Sequence, residues 1–114
     1  MKAINSRSDV TIAHCVQRAT SLWARSRGLI GRKGFESGNG LLIEPCSGIH
    51  TFGMSFPIDA IFLNKEGVVV HLVQDMKPMR FSRYLFHARS VLELPAGTIE
   101  RAGVQLGDRL AFEE

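Results

Sequence analysis

The chain is short of cysteine, tryptophan and tyrosine, with two, one and one in 114 residues. Two cysteines, Cys15 and Cys46, cannot form a disulfide framework. No C-x-x-C or finger-like Cys/His spacing accompanies them, which argues against structural zinc. They are expected as unbridged, buried thiols. No window approaches the ~20 apolar residues of a membrane span. Residues Met1 to Asp9 lack the apolar stretch of a secretory leader. The expectation is a cytoplasmic protein with no membrane partner, a monomer or weak homo-oligomer. Strong charge of one sign is also missing: 14 basic and 11 acidic residues leave a net +3. Up to Pro57 there are seven bases and three acids, and from Ile58 on seven and eight. That imbalance permits an acidic partner without requiring one, and a dedicated nucleic-acid module carries a denser stripe.

What is present is ordinary globular material, 45% hydrophobic and 22% charged, at the size of one domain. No repeat or linker divides residues 1–114. Val10, Ile12, His14 and Val16 alternate against Thr11, Ala13 and Cys15, which predicts a half-buried strand. Thr20 reads as an N-cap for a short N-terminal helix over Ser21–Ile30, weakened by Gly28. Gly31–Gly40 reads as a loop. Short apolar runs then follow between turns: Leu41–Ile43, Ile49–Phe52, Ile58–Leu63, Val68–Val73, Ser90–Leu94 and Arg109–Phe112. Ile58–Leu63 and Val68–Val73, joined by Asn64-Lys65-Glu66-Gly67, predict a hairpin. Thr98 to Ala102 predicts one helical turn closed by Gly103. The fold class is mainly β, a single-domain sandwich or barrel with one short N-terminal helix. Leu29, Leu42, Ile61, Phe62, Val69, Leu92, Leu94, Leu110 and Phe112 are the expected core.

Five ordered blocks carry a resemblance. They are Arg27-Gly28-Leu29-Ile30-Gly31-Arg32, Gly40-Leu41-Leu42-Ile43, the run from Ile49 to Leu63, Val91 to Gly97, and Gly103 to Asp108. Together they resemble the domain of unknown function 192 family over about residues 10–112. The resemblance implies a compact, mostly β domain found mainly in bacteria and archaea, and no established activity. Many relatives have Trp-Met-Lys-Asn-Thr before a Pro-Leu-Asp segment. Here His50-Thr51-Phe52-Gly53-Met54 precedes Pro57-Ile58-Asp59, so no role of that Lys-Asn pair carries over.

The segment from Glu44 to Asp59 is richest in chemistry. His50 is a candidate general base, oriented by Asp59 or Glu93. Cys46 is a candidate nucleophile, but an extended chain puts it ~13 Å from His50. Cys46, His50 and Met54 are soft-metal donors whose four-residue spacing would need a helix, which Gly48, Gly53 and Pro57 oppose. No metal and no cofactor is therefore expected. Asp59 lies in an apolar run and needs a partner, Arg27, Arg89 or backbone N–H groups. Glu93 is expected to face solvent or pair with an arginine. The leading expectation is a non-catalytic binding or accessory module for a small molecule or protein. Its polar pocket is formed by His50, Met54, Asp59 and Glu93 and bounded by the Gly31–Gly40 and Met76–His87 loops. The alternative is a small hydrolase using His50 with Asp59 or Glu93. A third reading uses Arg80, Arg83 and Arg89, interleaved with Phe81, Tyr84 and Phe86, to bind single-stranded nucleic acid. The low net charge favours aromatics docked in the core and arginines left wet, with only weak, salt-sensitive nucleic-acid binding.

Overall fold

The computed structural model describes residues 1–21, 24–25 and 28–114. Among the described residues eight strands form two sheets. The chain runs through β1 (Lys2–Asn5), β2 (Thr11–Ala13), β3 (Cys15–Ala19), β4 (Asn39–Ile43), β5 (Ile58–Leu63), β6 (Val69–Met76), β7 (Ser90–Pro95), helix α1 (Thr98–Ala102) and β8 (Leu110–Glu113). The smaller sheet has the order β2-β1-β8 and the larger β3-β4-β7-β5-β6. Among the described strands only the β3–β4 pair is parallel. Two open sheets, rather than a closed barrel, decide between the two expected architectures.

Alternation along the central strands explains the layering. Leu42, Ile61, Leu63, Leu92 and Leu94 face the smaller sheet and α1, where they pack with Ala3, Ile12, Ile99 and Leu110. Leu41, Ile43 and Ile58 face the other way, onto Leu29 and Met54, while Ala60, Phe62 and Val91 pack against Ala88. All six residues of β5 are buried because both faces are covered. The expected core is buried throughout except Phe112, which is half-buried on the edge strand β8.

Three sequence expectations need correction. Val10–Val16 is not one strand: the chain breaks at His14, and β2 and β3 join different sheets. The backbone N–H groups of His14 and Cys15 both donate to the Gly38 carbonyl, which anchors the break. The named helix stands near the C-terminus, at Thr98–Ala102, not near the N-terminus. Of the helix expected over Ser21–Ile30, Leu22, Trp23, Ser26 and Arg27 lie outside the described residues. Ala24 and Arg25 are helical, and Ser21 rather than Thr20 caps them, its Oγ accepting from the Ala24 N–H at 3.0 Å. At Gly28 the chain turns with φ 51°. Cys15 is exposed and Cys46 half-buried, so the thiols are free, as expected, but not both hidden.

A fourth correction bears on function. Phe81, Tyr84 and Phe86 do not dock into the core; they are 76%, 76% and 74% exposed. Leu85 and Ala88 cover Phe62 and Val91 instead, together with Cys46 and Ile49. These smaller side chains meet the apolar demand of that face, and the rings are left outside.

Candidate binding site

The segment from Cys46 to Thr51 is extended and tied along one side to residues 80–89. Cys46 N–H donates to the Arg89 carbonyl, Ser82 N–H to Ile49, Leu85 N–H to Ser47 and Thr51 N–H to Arg80, all at 2.8–2.9 Å. The Ser82 hydroxyl accepts from the Ile49 N–H at 2.8 Å. Thr51 is fully buried and fixes the corner, its Oγ1 donating to the Lys77 carbonyl at 2.6 Å and accepting from Arg80 N–H. Gly53 (φ 82°) then turns the chain so tightly that a Cβ there would stand 3.2 Å from Ile30 Cγ2. This frame lies over the loop-covered face of β7.

Between the frame and the sheet is a cavity of about 200 Å³, lined by Arg25, Gly28–Ile30, Ile43, Cys46, Gly48–His50, Met54 and Glu93. An outer groove of about 630 Å³ shares Arg25, Ile43, Cys46, Gly48, Ile49 and His50 and adds Phe81, Ser82 and Tyr84. Glu93 forms the floor. It is 3% exposed, and its buried Oε1 has no hydrogen-bond partner among the described residues. Gly28 lies over this oxygen, since a Cβ there would stand 3.9 Å from it. Burial pushes the Glu93 carboxyl up to about 8, against an opposing pull from the Arg32 guanidinium. At neutral pH it is therefore mainly a neutral acid that can donate as well as accept. Arg25 supplies a second unpaired group, a buried Nε–H, while its terminal nitrogen donates to the Pro45 carbonyl at 3.1 Å. Neither expectation for Glu93, solvent or an arginine partner, describes it.

Asp59 has another position and another task. In register it lies opposite Leu94, whereas Ala60 lies opposite Glu93, so Asp59 points to the α1 face of the sheet. It is fully buried and accepts the backbone N–H groups of Asp75 (2.9 Å), Gly97 (3.1 Å) and Ile99 (2.9 Å). It is a clamp joining β6, β5 and α1, satisfied by backbone rather than by an arginine.

The sequence candidates thus separate. His50, Met54 and Glu93 line the cavity; Asp59 does not. The Gly31–Gly40 loop does not line it either, and Gly28–Ile30 takes that edge. His50 is exposed, and its Nδ1 accepts from the Phe52 N–H at 3.2 Å. Cys46 lines the cavity with His50, but its Sγ donates to the Gly48 carbonyl at 3.2 Å. Burial pushes the thiol up, against an opposing pull from the hydrogen bond to Gly48, which disfavours the nucleophilic thiolate. Among the described residues no group of three His, Cys, Asp or Glu side chains could hold a metal ion. Arg25 is the residue that sequence reasoning passed over. A charged residue on a short helix carries no signal of the wall it faces.

The sequence profile of the domain of unknown function 192 family, described as "Uncharacterized ACR", matches residues 3–112. The chain belongs to this family. A UPF0127 protein of the same uncharacterised family, from Pyrococcus furiosus, is 41% identical over 64 residues, 56% of this chain. That match spans 54% of the Pyrococcus protein, so the chain corresponds to about half the length of this relative. A candidate transcription regulator from Sinorhizobium meliloti 1021 has a similar crystal structure, with TM-score 0.77 and 27% identity over 96% of this chain and 89% of that one. A protein of unknown function from Novosphingobium aromaticivorans shares the fold at TM-score 0.78 and 17% identity, over 98% and 93% of the two chains. The family is thus shared by an archaeal relative, and no function is established for it. Among the described residues no helix is long and apolar enough to cross a membrane.

Proposed function

We propose that this chain is a non-catalytic binding module whose site is the cavity between Cys46–His50 and Glu93. Its ligand is a small, uncharged molecule carrying an amide or a comparable donor–acceptor pair. One observation carries this reading: a buried carboxyl oxygen with no hydrogen-bond partner on the wall of a cavity. Leaving such an atom unpaired costs about 1–3 kcal/mol, which a ligand donor would recover. Arg25 Nε–H offers the matching donor for a ligand carbonyl. The walls of Leu29, Ile30, Ile43, Ile49 and Met54 suit a short apolar body. At about 200 Å³ the space equals roughly seven water volumes, which limits the ligand to a few non-hydrogen atoms.

The hydrolase alternative, His50 with Asp59 or Glu93, has less support: Asp59 is held by three backbone donors on the opposite face, and Glu93 is mainly neutral at pH 7 and so lacks the charge that would orient an imidazole. The transcription-regulator description of the Sinorhizobium relative, carried to this chain, would point to nucleic acid. Its support here is not a groove-reading helix, since α1 has five residues. The support is the exposed loop taken up below.

The test is a ¹H–¹⁵N NMR titration with butyramide, with butane-1-sulfonate as a charged control. Butyramide is expected to shift amides of residues 28–30, 46–54 and 93, and Glu93→Ala to abolish the response. Shifts that are absent, scattered, or unchanged in Glu93→Ala would reject the site.

A further inference from the structure

We infer that the loop from Met79 to Arg89 is a docking surface for single-stranded nucleic acid. Its arginines take the phosphates, and Phe81 and Tyr84 stack on bases at the mouth of the outer groove. This surface adjoins the Glu93 chamber across a shared wall and does not depend on the ligand proposed for it.

Four observations support this. The first is exposure: Met79, Phe81, Tyr84 and Phe86 are 61–76% exposed within eight residues of sequence. Rings this exposed contribute little to the fold, and such a cluster is the usual mark of an interaction surface. Secondly, the rings stand on a fixed backbone. The hydrogen bonds from Cys46, Ile49 and Thr51 hold residues 80–89 in place, and Met79 N–H adds a bond to the Thr51 carbonyl at 3.2 Å. The ordering cost of the loop backbone is thus met before a partner arrives.

Thirdly, the charge has one sign. From Met76 to Leu92 the sequence has Lys77, Arg80, Arg83 and Arg89 and no acid. Lys77 is paired with Asp75 at 2.6 Å, but among the described residues no carboxylate pairs with Arg80, Arg83 or Arg89. Fourthly, the rings form a platform. Phe81 meets Phe52 edge-on with centroids 4.8 Å apart, and the His50 ring lies 5.4 Å from Phe52. Arg25, Ser82 and Tyr84 share the groove beside it. Phosphate-binding guanidiniums interleaved with π-faces are the equipment for unpaired strands, whose bases are free to stack. A duplex hides those faces. An anionic bilayer would engage the arginines and rings but would leave the groove unused.

Exposure changes the weight given to this stretch. Sequence reasoning expected weak binding from the low net charge, with the aromatics docked in the core; the net charge is unchanged, but the aromatics are outside the core.

The experiment is anisotropy titration of fluorescein-labelled dT15 and rU15 at about 100 mM salt. Saturable micromolar binding is expected, with a log K against log[salt] slope of about −2 for three phosphate contacts. Phe81→Ala or Tyr84→Ala should weaken binding by about 5- to 150-fold each. Arg80→Ala/Arg83→Ala/Arg89→Ala should abolish it. All five docking side chains are exposed, so the variants should fold; amide shifts of the wild-type chain, confined to residues 46–52 and 79–89, provide an independent readout. Non-saturable binding, equal affinity for a 15-base-pair duplex, or insensitivity to these variants would overturn the inference. Binding to phosphatidylglycerol vesicles, lost in the same variants while the oligonucleotides fail to bind, would reassign the surface to a membrane.

Discussion

Glu93→Gln isolates the energetic consequence of the cavity floor. The Glu93 carboxyl sits at about 8 in the folded chain against an ordinary 4.5, because burial penalises its charge. Between those values the folded chain holds a proton that the unfolded chain releases, so unfolding gains as pH rises. This contribution is fully favourable below pH 4.5, declines through the window, and levels off above about 8. At about 1.4 kcal/mol per pH unit the window amounts to about 5 kcal/mol, with about 3 kcal/mol lost by pH 7. Gln mimics the neutral acid in shape and cannot ionise. Urea denaturation of both proteins at pH 5, 6, 7 and 8 reads the difference directly and cancels the other titrating groups. The variant should lie within about 1 kcal/mol of the wild type at pH 5 and exceed it by about 4 kcal/mol at pH 8. Parallel stability profiles would mean that Glu93 has an ordinary carboxylate environment, and the argument for a neutral, partnerless acid would fall.

Asp59→Ala should cost about 3 kcal/mol or more, since it leaves three backbone donors without an acceptor, whereas His50→Ala should cost under ~1 kcal/mol; urea midpoints rank the two. Asp108 is held at about 2, first by its hydrogen bond from Arg7 (2.6 Å) and further by Asn5 and the Gln105 N–H. Its stabilisation is therefore present above about pH 4 and lost as pH falls towards 2. Asp108→Asn should lower stability at pH 7 and remove that part of the acid transition, read by circular dichroism against pH. Leu92→Ala should cost about 2–5 kcal/mol, because Leu92 is fully buried in the core between the sheets; a loss under ~0.5 kcal/mol would contradict that placement.

Period-two patterning made the larger sheet legible. The Ile58–Leu63 and Val68–Val73 runs became the β5–β6 hairpin, and Ser90–Leu94 became the strand between β4 and β5. Alternation could not show that Val10–Val16 changes sheets at His14, because the two halves keep one periodicity across the break. Nor did it reveal β1, whose pattern is short and carries Lys2 and Asn5. The Cys46–Met54 segment was legible as chemistry, since Gly48, Gly53 and Pro57 interrupt any regular ladder there. Its geometry was not. Whether Phe81, Tyr84 and Phe86 point in or out depends on how much apolar cover Leu85, Ala88 and Ile49 already provide.

Asp59 and Glu93 show most clearly where a sequence stops informing. Each is an acid inside an apolar strand, and local pattern treats them alike. The β5–β7 register puts them one position out of step, with Ala60 opposite Glu93 and Leu94 opposite Asp59. That single step sends them to opposite faces. On one face the start of α1, with Gly97 at φ 94°, presents two N–H groups to Asp59, and Asp75 presents a third. On the other face Cys46, Ile49 and Thr51 donate their N–H groups to residues 80–89, and among the described residues no donor reaches Glu93 Oε1. An acid with its donors supplied by the fold has no capacity left for a ligand. An acid that the fold leaves unsupplied beside a cavity is the group through which a ligand would act, and the pH profile of Glu93→Gln measures that difference.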